Sequence, residues 1–286
     1  MPQRITGHTQ LIGLVAKPIR HSKSPMMHNT AFEELGLDYA YLVFEVDSEN
    51  LKTAVAGLRA LDVRGFNVSM PYKNAIMQYL DDILPAGRLC QAVNTVVNEN
   101  GRLIGTNTDG EGFMTAYRDA GVDLTGKKVT LLGAGGAGTA VAMQMGLDGV
   151  AELSIFNRDD EFWPRAVENG SKLNAQTGCK ATVYHLEDRD ALRAEITSSF
   201  ALVNATSAGF GDQVGVCPIP DASYLRPGLV VADVIYVPER TALLELAGSV
   251  GCRTMNGLGM MLYQGAAAFK LWTGEDMPID AVKAVL

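Results

Sequence analysis

The sequence predicts an α/β protein made of two α/β units in succession, and three observations predict it. Short apolar runs of strand length alternate with amphipathic stretches of helix length along the whole chain. The alternation is interrupted near Asn100-Gly101 and resumes near Lys128 as a more regular series. No repeat of about 20–50 residues and no low-complexity tract competes with that reading.

Taken in order, a strand at Leu11–Ala16 precedes Ser24-Pro25, where a hydroxyl cap followed by proline starts a helix to about Leu35. Tyr39–Val46 reads as the next strand, Asp47 or Ser48 caps a helix through Leu61, and Gly65–Val68 is a third strand. Pro71 is expected to open a helix toward Leu80. Asn94–Asn98 and Leu103–Thr106 read as a hairpin, because Asn100-Gly101 tolerates the positive φ of a tight turn. A helix from Thr108 to about Ala120 follows, and Leu124-Thr125-Gly126 turns into the second series. Strands at Lys128–Leu132, Glu152–Phe156, Thr182–Tyr184, Ala201–Val203 and Leu229–Ile235 alternate with helices, the pattern of a doubly wound parallel sheet. The last two helices are expected near Gly259 and Pro278.

Composition narrows the function. At 286 residues and 47% hydrophobic content the chain can bury a large core without disulfides. A net charge of -8 with no basic run argues against nucleic acid as a partner. Cys90, Cys179, Cys217 and Cys252 form no CxxC pair and His8, His21, His28 and His185 no HExxH spacing, so neither a metal site nor a disulfide framework is expected. The N-terminal stretch lacks the apolar core of a secretory signal, which with the unpaired cysteines points to the cytoplasm. The uncharged stretch Val129–Leu147 contains five glycines and reads as strand, turn and helix rather than as a membrane span. Nothing picks out a protein interface, so monomer and homodimer stay open.

Within that stretch, Val129-Thr-Leu-Leu runs into Gly133-Ala134-Gly135-Gly136-Ala137-Gly138, an apolar strand followed by a G-x-G-x-x-G turn and a helix of small residues. Such a turn lets the backbone approach a pyrophosphate while the helix N-terminus supplies oriented N–H groups, the signature of a dinucleotide site. The next strand ends at Asn157-Arg158-Asp159-Asp160-Glu161, where the adenosine ribose is expected. Three acids there disfavour a 2′-phosphate, since each phosphate–carboxylate contact near 4 Å opposes binding by about 1–4 kcal/mol. NAD is therefore expected, with Asp160 or Asp159 on the ribose, while Arg158 leaves NADP use open.

The first half carries four short polar segments. Ser22-Lys-Ser24-Pro25 places two hydroxyls at a helix start, an arrangement suited to a carboxylate. Asn67-Val-Ser69-Met-Pro71-Tyr-Lys73 puts a lysine in the expected first helical turn, where the helix dipole disfavours a cation. Ala92-Val-Asn94-Thr95 and Asn107-Thr108-Asp109-Gly110 add an amide and a carboxylate beside strand ends.

These four segments, in this order before the glycine turn, resemble the shikimate dehydrogenase family. Downstream, Asn204-Ala-Thr206-Ser-Ala-Gly209, Asp233-Val-Ile-Tyr236-Val-Pro238 and Gly257-Leu-Gly259-Met260 through Gln264-Gly265-Ala266 are similar to family blocks as well. The resemblance implies a substrate domain over residues 1–110, completed by 260–286, and a Rossmann-like NAD(P)-binding domain over 111–259, with the active site in the cleft between them. It implies Ser22 and Ser24 on the substrate carboxylate, Ser69, Asn94, Asp109 and Gln264 on ring hydroxyls with Tyr236 nearby, and Lys73 as acid/base group oriented by Asp109. Gly259 and Met260 would border the nicotinamide, and Gly133 through Ala137, Asn157, Arg158, Asp160 and Thr206 would contact the cofactor. The implied reaction interconverts shikimate with 3-dehydroshikimate, and quinate with 3-dehydroquinate, by hydride transfer to NAD(P). The chain departs from the commoner pattern in having Asp159 after the Asn-Arg pair and Ser69 in place of a threonine. The first departure resembles the quinate/shikimate dehydrogenase branch, with NAD preferred, and the methyl lost at Ser69 would leave room for quinate's extra ring hydroxyl.

Overall fold

The computed structural model describes residues 5–286. The first four residues, which open the N-terminal stretch read for a secretory signal, lie outside the described residues. The chain forms two compact units, one comprising residues up to Thr108 together with Leu262–Leu286, the other Asp109–Met261.

The first unit contains β1 (Gln10–Ala16), α1 (Ser24–Glu34), β2 (Tyr39–Glu45), α2 (Leu51–Ala60), β3 (Gly65–Val68), β4 (Asp82–Ile83), α3 (Pro85–Cys90), β5 (Thr95–Glu99) and β6 (Arg102–Thr106). Its six-stranded sheet has the order β2-β1-β3-β5-β6-β4. β1 pairs parallel with β2 and β3, whereas β5 is antiparallel to both β3 and β6. Asn100 and Gly101 turn the β5–β6 hairpin at φ 54° and 87°, the conformation that makes Asn-Gly the natural pair there.

Side-chain alternation sends each strand's residues to two cores. Ile12, Leu14 and Ala16 of β1 pack with Met27, Ala31 and Phe32 of α1, while Val15 faces Leu51, Val55 and Leu58 of α2. The second unit follows with α4 (Asp109–Asp119), β7 (Lys128–Leu132), α5 (Gly136–Leu147), β8 (Glu152–Asn157), α6 (Trp163–Gln176), β9 (Lys180–His185), α7 (Arg189–Ser198), β10 (Ala201–Asn204), β11 (Val230–Asp233), α8 (Ala242–Ser249) and β12 (Arg253–Met255). Its six strands are all parallel in the order β12-β11-β10-β7-β8-β9, with the direction of winding reversing between β7 and β10. α9 (Leu258–Thr273) and α10 (Ile279–Lys283) then return the chain to the first unit. Phe269, Trp272 and Val282 join the core around α1, and the Trp272 indole N–H donates to the Val96 carbonyl at 2.9 Å.

Three expectations are corrected. α1 begins at Ser24 rather than being capped by it: Lys23 holds the cap position, and Ser22 Oγ accepts from the Ser24 N–H at 3.2 Å. The helix expected from Asp47 starts as a 3-10 turn, Ser48–Asn50, without a side-chain cap, before α2. Pro71 opens no α-helix: residues 70–74 form turns and only Ala75–Tyr79 winds, as a 3-10 helix. The Lys73 carbonyl there accepts from the Val93 N–H at 2.8 Å, a bond to another segment that a helical carbonyl would not have free. The elements β4, α3 and β12 were not expected, being too short to carry a period. Among the described residues no helix is long and apolar enough to cross a membrane.

One polar side chain sits wholly inside the α1 core. His28 is 0% exposed, neither ring nitrogen has a partner, and the ring stacks on Tyr41 at 4.5 Å. Burial pushes its pKa down from 6.5 to about 3, so the folded protein keeps the imidazole neutral while the unfolded chain takes a proton below pH 6.5. The unfolded state is thus favoured as pH falls through that window, by about 1.4 kcal/mol per pH unit once well below 6.5. His28→Leu should remove this slope. Urea unfolding between pH 7 and about pH 4.5 should find wild type losing roughly 2 kcal/mol more than the variant; parallel losses would show that His28 carries no such proton linkage.

Candidate active site

In the second unit the glycine turn leaves the C-terminal end of β7 at the point where the sheet's winding reverses. Gly133 has φ +96°, and a Cβ there would lie 2.8 Å from the Ala205 carbonyl oxygen. A Cβ on Gly138 would stand 2.1 Å from the Gly133 carbonyl oxygen, so helix and turn touch backbone to backbone. Around Gly135 and Gly136, by contrast, nothing lies within 4 Å of a built Cβ. The first turn of α5 has no side-chain cap, which leaves its N–H groups pointing at that open space. Two closed glycines holding two open ones over a helix N-terminus is a cradle that fits a pyrophosphate.

The residues expected at the adenosine end also make hydrogen bonds within the protein. Asn157 Oδ1 accepts from the Ala134 N–H at 2.9 Å, bracing the glycine turn from the neighbouring strand. Its Nδ2 donates to Asp160 Oδ1 at 3.0 Å, and the same oxygen accepts from the Phe162 N–H at 2.9 Å. Through Oδ1 the Asp160 carboxylate organises the approach to α6. Arg158 and Asp159 are exposed beside it. Thr206 lies next to Gly133, its methyl 3.0 Å from the built Cβ and its hydroxyl donating to Asn204 Oδ1 at 2.7 Å.

Elsewhere in this unit, Asp109 opens α4 and is buried. Tyr236 is exposed, and Gly259 and Met260 lie in the first turn of α9. A Cβ on Gly259 would approach Ala116 at 2.9 Å, which explains the small residue. Asn204 Nδ2 and the Thr241 hydroxyl both donate to Asp233 Oδ2, at 3.1 and 2.8 Å, so the family-like blocks around Asn204 and Asp233 brace each other. Burial raises the Asp233 pKa despite these bonds.

In the first unit, Ser22 Oγ donates to Ser24 Oγ at 3.1 Å, so the two hydroxyls stand together at the start of α1. Ser69 follows β3, and its N–H donates to the Val15 carbonyl at 3.1 Å. Lys73 is half-buried in the turn before the 3-10 helix, not in a helical first turn, and the dipole argument lapses with that helix. Asn94 is buried, its Oδ1 accepting from the Thr108 N–H at 2.9 Å and its Nδ2 donating to Thr108 Oγ1 at 3.1 Å. Gln264 lies half-buried on α9. Two polar side chains that sequence reasoning left without a role also lie here: Asn67 is buried at the end of β3, and its Oδ1 accepts from the Tyr41 hydroxyl at 2.7 Å. Asn67 stood inside a family-like segment, whereas Tyr41 had no local signal.

A family model described as the shikimate dehydrogenase substrate binding domain matches residues 14–96, and one described as the shikimate 5'-dehydrogenase C-terminal domain matches residues 257–286. A Listeria monocytogenes protein named shikimate dehydrogenase (NADP(+)) is 54% identical over 284 residues, covering 99% of this chain and 98% of that one. The chain belongs to the shikimate dehydrogenase family. A Streptococcus uberis protein of the same name is 52% identical over 289 residues, covering 100% of this chain and 98% of its own. The crystal structure of Listeria monocytogenes shikimate 5-dehydrogenase, in complex with shikimate and NAD, matches with a TM-score of 0.97 at 54% identity, covering 100% of this chain and 99% of that one. The two-unit architecture with returning C-terminal helices is thus that of the shikimate dehydrogenases.

Proposed function

We propose that the protein is a shikimate dehydrogenase that interconverts shikimate and 3-dehydroshikimate with NADP as its cofactor. The observation that carries this reading is the likeness, along essentially the whole chain, to relatives named for shikimate and NADP(+). The acidic run 159–161 that spoke against a 2′-phosphate keeps its charge, although Asp160 Oδ1 accepts from Asn157 Nδ2 and from the Phe162 N–H. Arg158, exposed at the end of β8, is the cation such a phosphate would meet. One observation favours a second reading, NAD with shikimate: a relative of the same identity was crystallised with both. Use of quinate rests on the resemblance of the Asp159–Phe162 stretch to that branch and on the Ser69 substitution, and one methyl in a pocket shifts discrimination by only about 1–3 kcal/mol.

A bound nicotinamide supplies the hydride acceptor. Gly133, Ala134, Gly135, Gly136 and Ala137 would hold its pyrophosphate by backbone N–H groups, with Asn157, Arg158 and Asp160 at the adenosine end and Thr206, Gly259 and Met260 toward the nicotinamide. Ser22 and Ser24 would donate to the substrate carboxylate, and Ser69, Asn94, Asp109 and Gln264 would bind ring hydroxyls, with Tyr236 beside them. Lys73 would take the hydroxyl proton as hydride leaves the same carbon, and return it in the reverse direction. The substrate domain would then be residues 1–110 with 260–286, and the cofactor domain 111–259.

Nicotinamide reduction by the purified protein, with shikimate or quinate offered against NADP or NAD, tests the reading. Shikimate turnover with kcat/KM higher for NADP is expected. A preference for NAD would reinstate the acidic run 159–161 as the selectivity element, equal turnover of quinate would widen the substrate class, and no turnover at all would end the enzyme reading.

A further inference from the structure

We propose that Asp233 is a positioning residue for the nicotinamide end of the cofactor: its carboxylate ties together the segments that carry Thr206 and Gly259-Met260 and the turn that carries Tyr236. The proposal deepens the functional reading above and rests on its assignment of those residues. Asp233 ends β11, is 1% exposed, and is surrounded by donors. The Ile235 N–H donates to Oδ1 at 3.0 Å, and Asn204 Nδ2 and the Thr241 hydroxyl donate to Oδ2 at 3.1 and 2.8 Å. None of the three can reverse its direction. A backbone N–H only donates. The Asn204 amide is locked, because its Oδ1 accepts from the Thr206 N–H at 3.1 Å and its Nδ2 donates to the Ala208 carbonyl at 3.1 Å. Thr241 Oγ1 accepts from the Leu244 N–H at 3.4 Å, which leaves its single proton for Asp233. The position therefore takes a group that only accepts, which among polar side chains is an ionised carboxylate.

Each donor sets a different stretch of chain. Asn204 ends β10, and its locked amide shapes the loop beyond it. Thr206 Oγ1 donates to Asn204 Oδ1 at 2.7 Å and accepts from the Ala208 N–H at 3.1 Å. The Thr206 hydroxyl is thus used inside the loop, and its methyl is what stands over the glycine turn, 3.0 Å from a Cβ built on Gly133. Ile235 leads into Tyr236, and its carbonyl accepts from the Gly257 N–H at 2.9 Å. A Cβ on Gly257 would lie 2.0 Å from the Val234 carbonyl oxygen, so backbone rests on backbone just before Gly259 and Met260 in the first turn of α9. Asp233 and Met260 line the same small cavity. Thr241 closes the arrangement from the start of α8. Burial raises the Asp233 pKa, and the three donors oppose that shift by favouring the charged form.

Asp233→Asn keeps the shape and turns one oxygen into an NH2 group. Neither amide orientation pairs, since one aims that group at the Ile235 N–H and the other at the Asn204 NH2. The readout is calorimetric affinity for NADP set against affinity for its adenosine half alone, adenosine 2′,5′-bisphosphate, with NAD and adenosine 5′-monophosphate as the parallel pair. Asp233→Asn should weaken dinucleotide binding about tenfold, the size of one lost bond to a charged group, and leave the adenosine half within about twofold. Thr241→Val is a milder change that removes one donor and keeps the side-chain shape. It should weaken dinucleotide binding about threefold, and Thr241→Ser, which keeps the hydroxyl, should bind as wild type does. Equal losses for dinucleotide and adenosine half, or a Thr241→Val variant with wild-type dinucleotide affinity, overturn the positioning role while leaving the enzyme reading standing. A wild-type protein that binds neither NADP nor NAD overturns both.

Discussion

Lys73→Ala is expected to lower kcat for shikimate oxidation by about 100- to 10,000-fold, the range that a positioned acid/base group contributes. Cofactor affinity, measured by nicotinamide fluorescence, should change by less than about threefold, because in the proposed assignment no part of the dinucleotide touches Lys73. The half-buried turn that carries Lys73 is held at its backbone, through the bond between its carbonyl and the Val93 N–H, so removing the side chain should leave the fold intact. A variant with near-native kcat would remove Lys73 from the chemistry. A variant that lost cofactor binding to the same degree as turnover would instead point to a structural defect.

The second large effect separates two glycines of one turn. At Gly138 a methyl group would stand 2.1 Å from the Gly133 carbonyl oxygen, a backbone atom that cannot rotate away. Alanine gains about 1 kcal/mol of helix propensity there, but overpacking against backbone opposes it at or above the upper end of the usual 1–3 kcal/mol, so about 2 kcal/mol of net destabilisation is expected from Gly138→Ala. Gly135 has φ -66° and nothing within 4 Å of a built Cβ, so Gly135→Ala should leave thermal stability unchanged. It should nevertheless weaken dinucleotide binding at least tenfold, because the methyl occupies the space into which the pyrophosphate must come. Gly135→Ala binding cofactor as well as wild type would show that the open space is not the phosphate cradle.

The parts of the fold that could be read from sequence are those decided locally. The strand into Gly133, the Asn100-Gly101 hairpin and the alternating series after Lys128 each follow from a period or from a backbone angle that only a few residues tolerate. Where a segment's conformation depends on a distant partner, local reasoning failed. Pro71 looks like a helix start, yet the chain after it turns to give its carbonyl to Val93. Asn157 looks like a cofactor residue, and only the fold shows that its Oδ1 also braces the glycine turn of the adjacent strand by accepting from the Ala134 N–H.

By itself the sequence determined the α/β class, the glycine cradle and the family, because each rests on residue types at short spacings. Only the tertiary structure decided which polar side chains act together in the first unit. Tyr41 and Asn67 are 26 residues apart and have no relation along the chain. They meet because β1 lies between their strands: Ile12 pairs with Tyr41 on one side and Leu14 with Asn67 on the other. Alternation along parallel strands then turns both side chains to the same face of the sheet, where the Tyr41 hydroxyl donates to Asn67 Oδ1. A register across three strands is a property of the folded sheet, so no local pattern could have announced it.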